Sequence, residues 1–169
     1  MKIQKEKSAA AKKEQLVEEM LIANYSKYYR LAYSYVRNEA DAQDIVQEGA
    51  YKAILNSDSL REPSYADTWI YRIIVNEAIA FLRKNRKETV NIEDIPEAVT
   101  DTYQDLDLRQ AMEALEPLDR TIIVLRYFEE MKLDQIAEIT KTNLNTVKSR
   151  LYRTLKKLHL ALEPEITQA

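Results

Sequence analysis

The stretch from Leu133 to Lys157 leaves the chain the fewest choices. Leu133, Ile136, Ala137 and Ile139 place apolar groups on one side of a short helix. Thr140-Lys-Thr-Asn143 interrupts the pattern with a tight polar turn, and Thr142 or Asn143 suits the cap of a second helix. In that helix Leu144, Val147, Leu151, Leu155 and Leu158 recur at steps of three and four as one apolar stripe. Its other face carries Asn145, Thr146, Ser149, Arg150, Tyr152, Arg153, Lys156 and Lys157, with Lys148 at the edge. From Leu144 to Leu160 there are five Lys or Arg and no acid. This is a helix-turn-helix layout, whose second helix enters a DNA major groove and meets bases and phosphates. A basic amphipathic helix alone is as often a solvated face or a surface for an acidic partner. The short helix and turn before it favour DNA.

A single Gly and four Pro in 169 residues, amid abundant Ala, Leu, Glu, Lys and Gln, predict an all-α chain. The length fits two small helical domains. With no Cys, neither disulfides nor thiolate metal sites are available, and His159 stands alone on a basic helix. No catalytic set of carboxylates, nucleophile and base stands out, so no enzyme, metal or cofactor is expected. No segment approaches a membrane span, and residues 1–13, rich in Lys and Ala, lack the apolar core of a secretory signal. The expectation is a cytoplasmic protein with a loose, disordered basic tail over 1–13. The net charge of −3 conceals its distribution: residues 87–104 hold one basic and five acidic side chains, while the Leu144–Leu160 helix is purely basic. Screening beyond about 10 Å makes such local fields matter more than the total.

In chain order, a helix is expected from about Gln15 to Val36. Asn38-Glu-Ala-Asp41 resembles a capping box for a second helix to Leu55. Its apolar side includes Ala42, Ile45, Val46, Gly49 and Ala53; Gly49 costs about 1 kcal/mol against Ala, tolerable where helices approach closely. Asp44, Gln47, Glu48, Tyr51 and Lys52 face the other way. After a turn-forming loop, Asn56 to Pro63, Ser64-Tyr-Ala-Asp67 reads as a second capping box for a long helix. That helix carries a separate stripe of Trp69, Arg72, Asn76, Ala80 and Arg83, ending in the basic cluster Arg83 to Lys87. An aromatic among cations and amides suits single-stranded nucleic acid, since bases stack while cations hold phosphates; half-buried packing is the plainer alternative. The expected divisions are 14–87, an acidic flexible linker over 88–104, a second domain over 105–163, and a tail at 164–169.

Taken together, these segments resemble the extracytoplasmic-function (group 4) sigma factors of bacterial RNA polymerase, in the sigma-70 family. Asp41-Ala-Gln-Asp-Ile-Val-Gln-Glu48 is similar to the family's polymerase-binding segment in region 2. Thr68-Trp-Ile-Tyr-Arg-Ile-Ile-Val-Asn76, with Leu82-Arg-Lys84, is similar to its promoter-melting and −10 helix. Leu115-Glu-Pro-Leu-Asp-Arg120, Leu125-Arg-Tyr-Phe128 and Ile136-Ala137 lead into Thr146-Val-Lys-Ser-Arg-Leu151, similar to the −35 reading helix of region 4.

The resemblance implies a protein that binds core RNA polymerase, at the clamp helices and flap of its large subunits, and directs it to promoter DNA. It implies −10 and −35 recognition, assisted melting, and an extracytoplasmic stress role under an anti-sigma factor, often membrane-tethered in this family. The chain itself would not insert in the membrane. Asp41, Asp44, Ile45, Gln47, Glu48 and Tyr51 are then expected to meet core polymerase. Ser57, Leu60, Arg61, Trp69, Tyr71, Arg72, Asn76, Arg83 and Lys84 are expected at the −10 element, where a base flips into a pocket of the 56–65 loop and Asn76. Arg126, Asn145, Thr146, Lys148, Ser149, Arg150, Arg153 and Lys156 are expected at the −35 element. Lys141 stands where the family usually has Gly, so a left-handed turn there carries strain. A helix-turn-helix regulator working without polymerase, or a sigma mimic that captures an anti-sigma factor, are the alternatives.

Overall fold

The computed structural model describes residues 1–88 and 103–162, with side chains for 1–85 and 108–162. Among the described residues the chain is helical throughout, without strands. The amino-terminal half contains α1 (Lys2–Ala23), α2 (Tyr25–Val36), α3 (Glu39–Leu55) and α4 (Ala66–Glu88). The second half contains α5 (Tyr103–Glu113), α6 (Pro117–Ile123), α7 (Leu133–Thr140) and α8 (Leu144–Leu162). Between α6 and α7 the helix widens into one π-type turn, Val124–Phe128.

Local chemistry explains most boundaries. Asn38 begins α3 by accepting the Asp41 amide on its side-chain oxygen at 3.0 Å. Gly49 is placed where α3 crosses α4: a Cβ there would lie 2.5 Å from Ile74 Cδ1, so the missing methyl sets how closely the helices approach. Pro117 opens α6, where its missing N–H costs nothing. Lys141 ends α7 at φ 52°, ψ 39°, the left-handed cap that glycine usually supplies.

Three expectations change. The disordered tail over 1–13 is instead helix from Lys2, because its Ala, Lys, Glu and Gln are strong helix formers. The single helix expected from Gln15 to Val36 is broken at Asn24, whose backbone leaves the helical region at φ −112°, ψ 15°. Asn competes for backbone groups and suits such a break. The capping box at Ser64 is replaced by a 3₁₀ turn, Pro63–Tyr65, and α4 starts at Ala66. The acidic linker expected over 88–104 lies outside the described residues for 89–102, as does the tail at 164–169.

The two halves share one apolar core, running from Val17, Tyr28 and Leu31 through Ile70 and Ile74 to Ile122, Leu125, Ile136 and Val147. Each large side chain fully enclosed there contributes about 1.5–3 kcal/mol. α4 packs along α7, and α2 packs on α6 and on the π turn. The joint between the halves is also polar. Glu129, its side chain 1% exposed, takes Arg30 Nη1 on Oε1 at 3.0 Å and the Tyr71 hydroxyl on Oε2 at 3.0 Å. Arg120 donates to Met112 O, Glu113 O and Leu115 O in its own half at 2.9–3.1 Å. It also reaches Ser34 O at 2.9 Å and Tyr35 O at 3.4 Å at the end of α2. Burial, then neighbouring Arg37, lowers its pKa from the ordinary guanidinium value.

Candidate nucleic-acid interface

This packing leaves three surfaces. On α8 the buried side is Val147, Thr154 and Leu158, with Leu151 half-buried. Thr154 takes a place expected for Leu155, which is 37% exposed, because the inner face is set by where α5, α6 and α7 lie. Asn145, Thr146, Lys148, Ser149, Tyr152, Arg153, Lys156 and Lys157 are all exposed. The helix is started by Asn143, whose side-chain oxygen accepts the Asn145 amide at 2.8 Å. Its exposed side is a row of hydroxyl, amide and cationic groups, the donors that base edges and phosphates accept from.

Two residues expected at the −35 element are placed differently. Arg150 Nη1 lies 2.8 Å from Asp119 Oδ1 and 3.3 Å from Glu116 Oε2, both at the start of α6. The hydrogen bond it donates to Asp119 is the main influence raising its pKa above the ordinary value. Its guanidinium therefore straps α8 to α6. Arg126 is exposed, but Nη1 donates to Met131 O at 2.9 Å and closes the turn before α7.

The second surface surrounds α4. Trp69 and Asn76 meet Asn56 and Ser59 of the loop, with Lys52, Ile73 and Glu77, around a cavity of about 290 Å³. Lys52 Nζ to Glu77 Oε1, 2.7 Å, forms one rim, and that hydrogen bond holds the ammonium above its ordinary pKa. An aromatic ring, two amides and a hydroxyl around an open cavity offer stacking and edge hydrogen bonds together. Arg61, Arg83 and Lys84 are exposed and Arg72 is half-buried. Ser57, Leu60 and Tyr71, expected here, are instead enclosed. Leu60 is a core residue that anchors the loop. Tyr71 stands edge-on to Tyr28, ring centroids 4.9 Å apart, and gives its hydroxyl to Glu129. It sits on the side of α4 that the second half covers, a partner that helical spacing within α4 does not reveal.

The third surface is the outer side of α3. Asp44, Gln47, Glu48 and Tyr51 are exposed along it and Asp41 is half-exposed, while Ile45 is 2% exposed and belongs to the core. Asp44, Ile45 and Glu48 border a cleft of about 310 Å³ whose far wall is Ala80, Phe81 and Lys84, so residues expected at two separate sites meet. Beside Gln47 an apolar groove of about 520 Å³ is lined by Leu21, Ile22, Tyr25, Val46, Ala50 and Ile54. Sequence patterning placed Val46 on the apolar side of α3 but did not single out these residues as a groove. Their signal was present: Ile22, 80% exposed, is a large apolar side chain off the core stripe of α1. No group of side chains suited to a metal ion occurs among the described residues, and no helix among them is long and apolar enough to cross a membrane.

Comparison with known proteins bears on these surfaces. Residues 20–88 match the family model described as Sigma-70 region 2, and residues 105–158 match Sigma-70, region 4. Over 162 residues the chain is 44% identical to the RNA polymerase sigma factor SigV of Bacillus subtilis, covering 91% of this chain and 98% of that protein. It is 32% identical over 146 residues to the ECF RNA polymerase sigma factor SigW of the same organism, covering 75% and 78%. Among solved structures it resembles the sigma factor RpoE in complex with the anti-sigma factor NepR from Bartonella quintana. There the TM-score is 0.73 and the identity 26%, with 86% of this chain and 95% of that one covered. CnrH in complex with the cytosolic domain of CnrY shares the fold, with a TM-score of 0.69 at 20% identity over 90% and 94% of the two chains.

Proposed function

The chain belongs to the extracytoplasmic-function sigma factors of the sigma-70 family, and we propose that its three surfaces divide the work of promoter-specific initiation among them. It binds core RNA polymerase, brings it to promoter DNA, and is held in check by an anti-sigma partner, as the relative RpoE is found with NepR. The phosphodiester chemistry belongs to the polymerase, and this chain is its regulatory subunit.

The observation that carries this reading is the exposed basic row of α8, positioned by the α7 turn in a helix-turn-helix. Thr146, Ser149 and Arg153 are then the groups that meet bases or nearby phosphates of the −35 element, and Lys148 and Lys156 hold phosphate. Trp69 and Asn76, with Asn56 and Ser59, supply the cavity for a −10 base flipped from the stack. Extrusion costs a few kcal/mol, offset by stacking on the indole and by amide hydrogen bonds to the base edge. Arg83 and Lys84 neutralise phosphate beside it. Asp44, Gln47 and Glu48, with the apolar groove next to Gln47, present acceptors and apolar area to the polymerase clamp.

Reconstitution tests it. Purified chain added to core polymerase should give transcripts with defined starts downstream of a shared two-part element. Binding to polymerase without any start would leave only a mimic. Retention of duplex DNA with no effect on polymerase would leave a free-standing helix-turn-helix regulator.

A further inference from the structure

The first turns of α1 take no part in the three surfaces. Side chains from Met1 to Ala9 are all exposed, so the helix runs on past the core that it packs against. Packing begins with Ala10, Lys13 and Leu16, which are half-buried, and Val17, which is fully buried. At that point α1 lies against the short turn Ser57–Ser59, and Lys13 Nζ donates to Asp58 O at 3.3 Å. The same turn carries Ser59 and comes directly after Asn56, both of which line the cavity at Trp69 and Asn76.

The charge on this extension is lopsided in amount and in position. Residues 1–13 hold five Lys and one Glu. At 3.6 residues per turn, Lys2, Lys5, Lys12 and Lys13 fall within an arc of about 100°. Glu6 falls just outside that arc, Glu14 well beyond it, and Lys7 on the far side. The contact of Lys13 with Asp58 identifies the arc as the flank nearest the loop. Lysines that served only to keep a bare helix soluble would be spread around it.

We propose that this lysine arc is a rail for the phosphates of the melted promoter strand where it passes the −10 cavity. The proposal rests on the sigma-factor reading above and extends the DNA path to a helix end outside the matched regions, which begin at residue 20. From Lys2 to Lys13 the helix rises about 16 Å, enough to track two or three successive phosphates of an extended strand. Cations this close together reinforce one another within a screening length. A strand leaving the cavity past Ser59 meets Lys13 first, then Lys12, Lys5 and Lys2. The rail reads no bases; it adds affinity that depends on salt.

The experiment uses polymerase reconstituted with the full chain and a pre-melted promoter fragment, with binding measured across a salt series. The variant combines Lys2→Gln, Lys5→Gln and Lys12→Gln, leaving Lys13 on the loop. Losing three phosphate contacts to single-stranded DNA should flatten the plot of log affinity against log salt by about 2. The ratio between matched and mismatched −10 sequences should stay the same, and Lys7→Gln, on the far side, should leave the slope at the parental value. An unchanged slope in the triple variant overturns the rail. A loss confined to the affinity for core polymerase also overturns it and makes the arc a protein contact. If the parental holoenzyme does not retain the pre-melted fragment at all, the sigma-factor reading fails, and the rail with it.

Discussion

Tyr71 donates its hydroxyl to Glu129 at 3.0 Å, joining the fourth helix of the first half to the turn that precedes the helix-turn-helix. Both groups are withdrawn from water, and the Glu129 carboxylate is balanced on its other oxygen by Arg30. Removing one partner strands the other, which costs about 1–3 kcal/mol for a buried polar group and more for a charged one. Tyr71→Phe should therefore lower stability by about 1–2 kcal/mol, and Glu129→Ala by more, since it leaves the buried Tyr71 hydroxyl without its acceptor and also removes the ion pair with the half-exposed Arg30. Denaturant unfolding of both single variants and the double checks this. The double variant should lose clearly less than the two single losses combined.

Arg150 should behave as a strap and not as a reader of bases. Held by Asp119 and Glu116, it sets the angle of α8 against α6. Arg150→Ala should weaken holoenzyme binding by a similar factor on matched and mismatched −35 sequences. Asp119→Ala should do the same although it bears no positive charge. A loss confined to one base position would return Arg150 to the bases.

Lys141 occupies a left-handed backbone at φ 52°. That conformation costs a residue with a Cβ about 1–2 kcal/mol, partly offset by the greater freedom glycine has when unfolded. Lys141→Gly should raise stability by about 0.5–1 kcal/mol, read from the denaturant midpoint at an unchanged slope.

Gly49 sets two effects against each other. Alanine there gains about 1 kcal/mol of helix propensity, but its methyl would fall 2.5 Å from Ile74 Cδ1 in a filled core. Overpacking costs about 1–3 kcal/mol, so Gly49→Ala should be destabilising on balance. Ile74→Val removes the obstructing methyl, and in that background Gly49→Ala should become neutral or stabilising. A thermodynamic cycle on the four proteins measures the coupling.

Burial raises the phenol pKa of Tyr28, Tyr35 and Tyr71; Asp67 adds to it at Tyr28 and Glu129 at Tyr71. A phenol whose pKa is raised in the folded state stabilises that state below the unfolded value and loses the effect as pH climbs toward the folded value. Stability should hold up to about pH 10 and then decline. Native protein at about pH 11 should show fewer ionised tyrosines, by phenolate absorbance, than the eleven released in denaturant.

How much of this was legible depended on range. The α8 pattern, the Asn38 and Asn143 caps and the strain at Lys141 are effects among near neighbours, and periodicity or turn chemistry reveals them; at Gly49 the sequence shows a glycine on the apolar side of α3 but not Ile74 of α4, which it meets. The loop cavity was legible too, because Asn76 and Trp69 share a stripe apart from the buried side of α4, with Ile73 beside them. Ile45, Leu60 and Tyr71 misled because a motif names positions without saying which way each side chain turns. Arg150 misled because its partners, Asp119 and Glu116, lie more than thirty residues away and at helical spacing look like solvent charges. The joint between the halves was invisible for the same reason: Arg120 and Ser34 are 86 positions apart.

Arg120 makes that joint in an unusual currency. Among the described residues all five of its bonds go to main-chain carbonyls, two of them on α2, and none to a side chain. A carbonyl is present whatever residue carries it. The side chains of Ser34 and Tyr35 can therefore drift in related proteins without unfastening this contact, provided that α2 ends where it does. Arg120 itself has no such freedom, since lysine could not span acceptors on two helices with one ammonium. At Arg120 the two halves are thus keyed to each other by the path of the backbone, which leaves the outer faces of both at liberty to acquire new promoters and new partners.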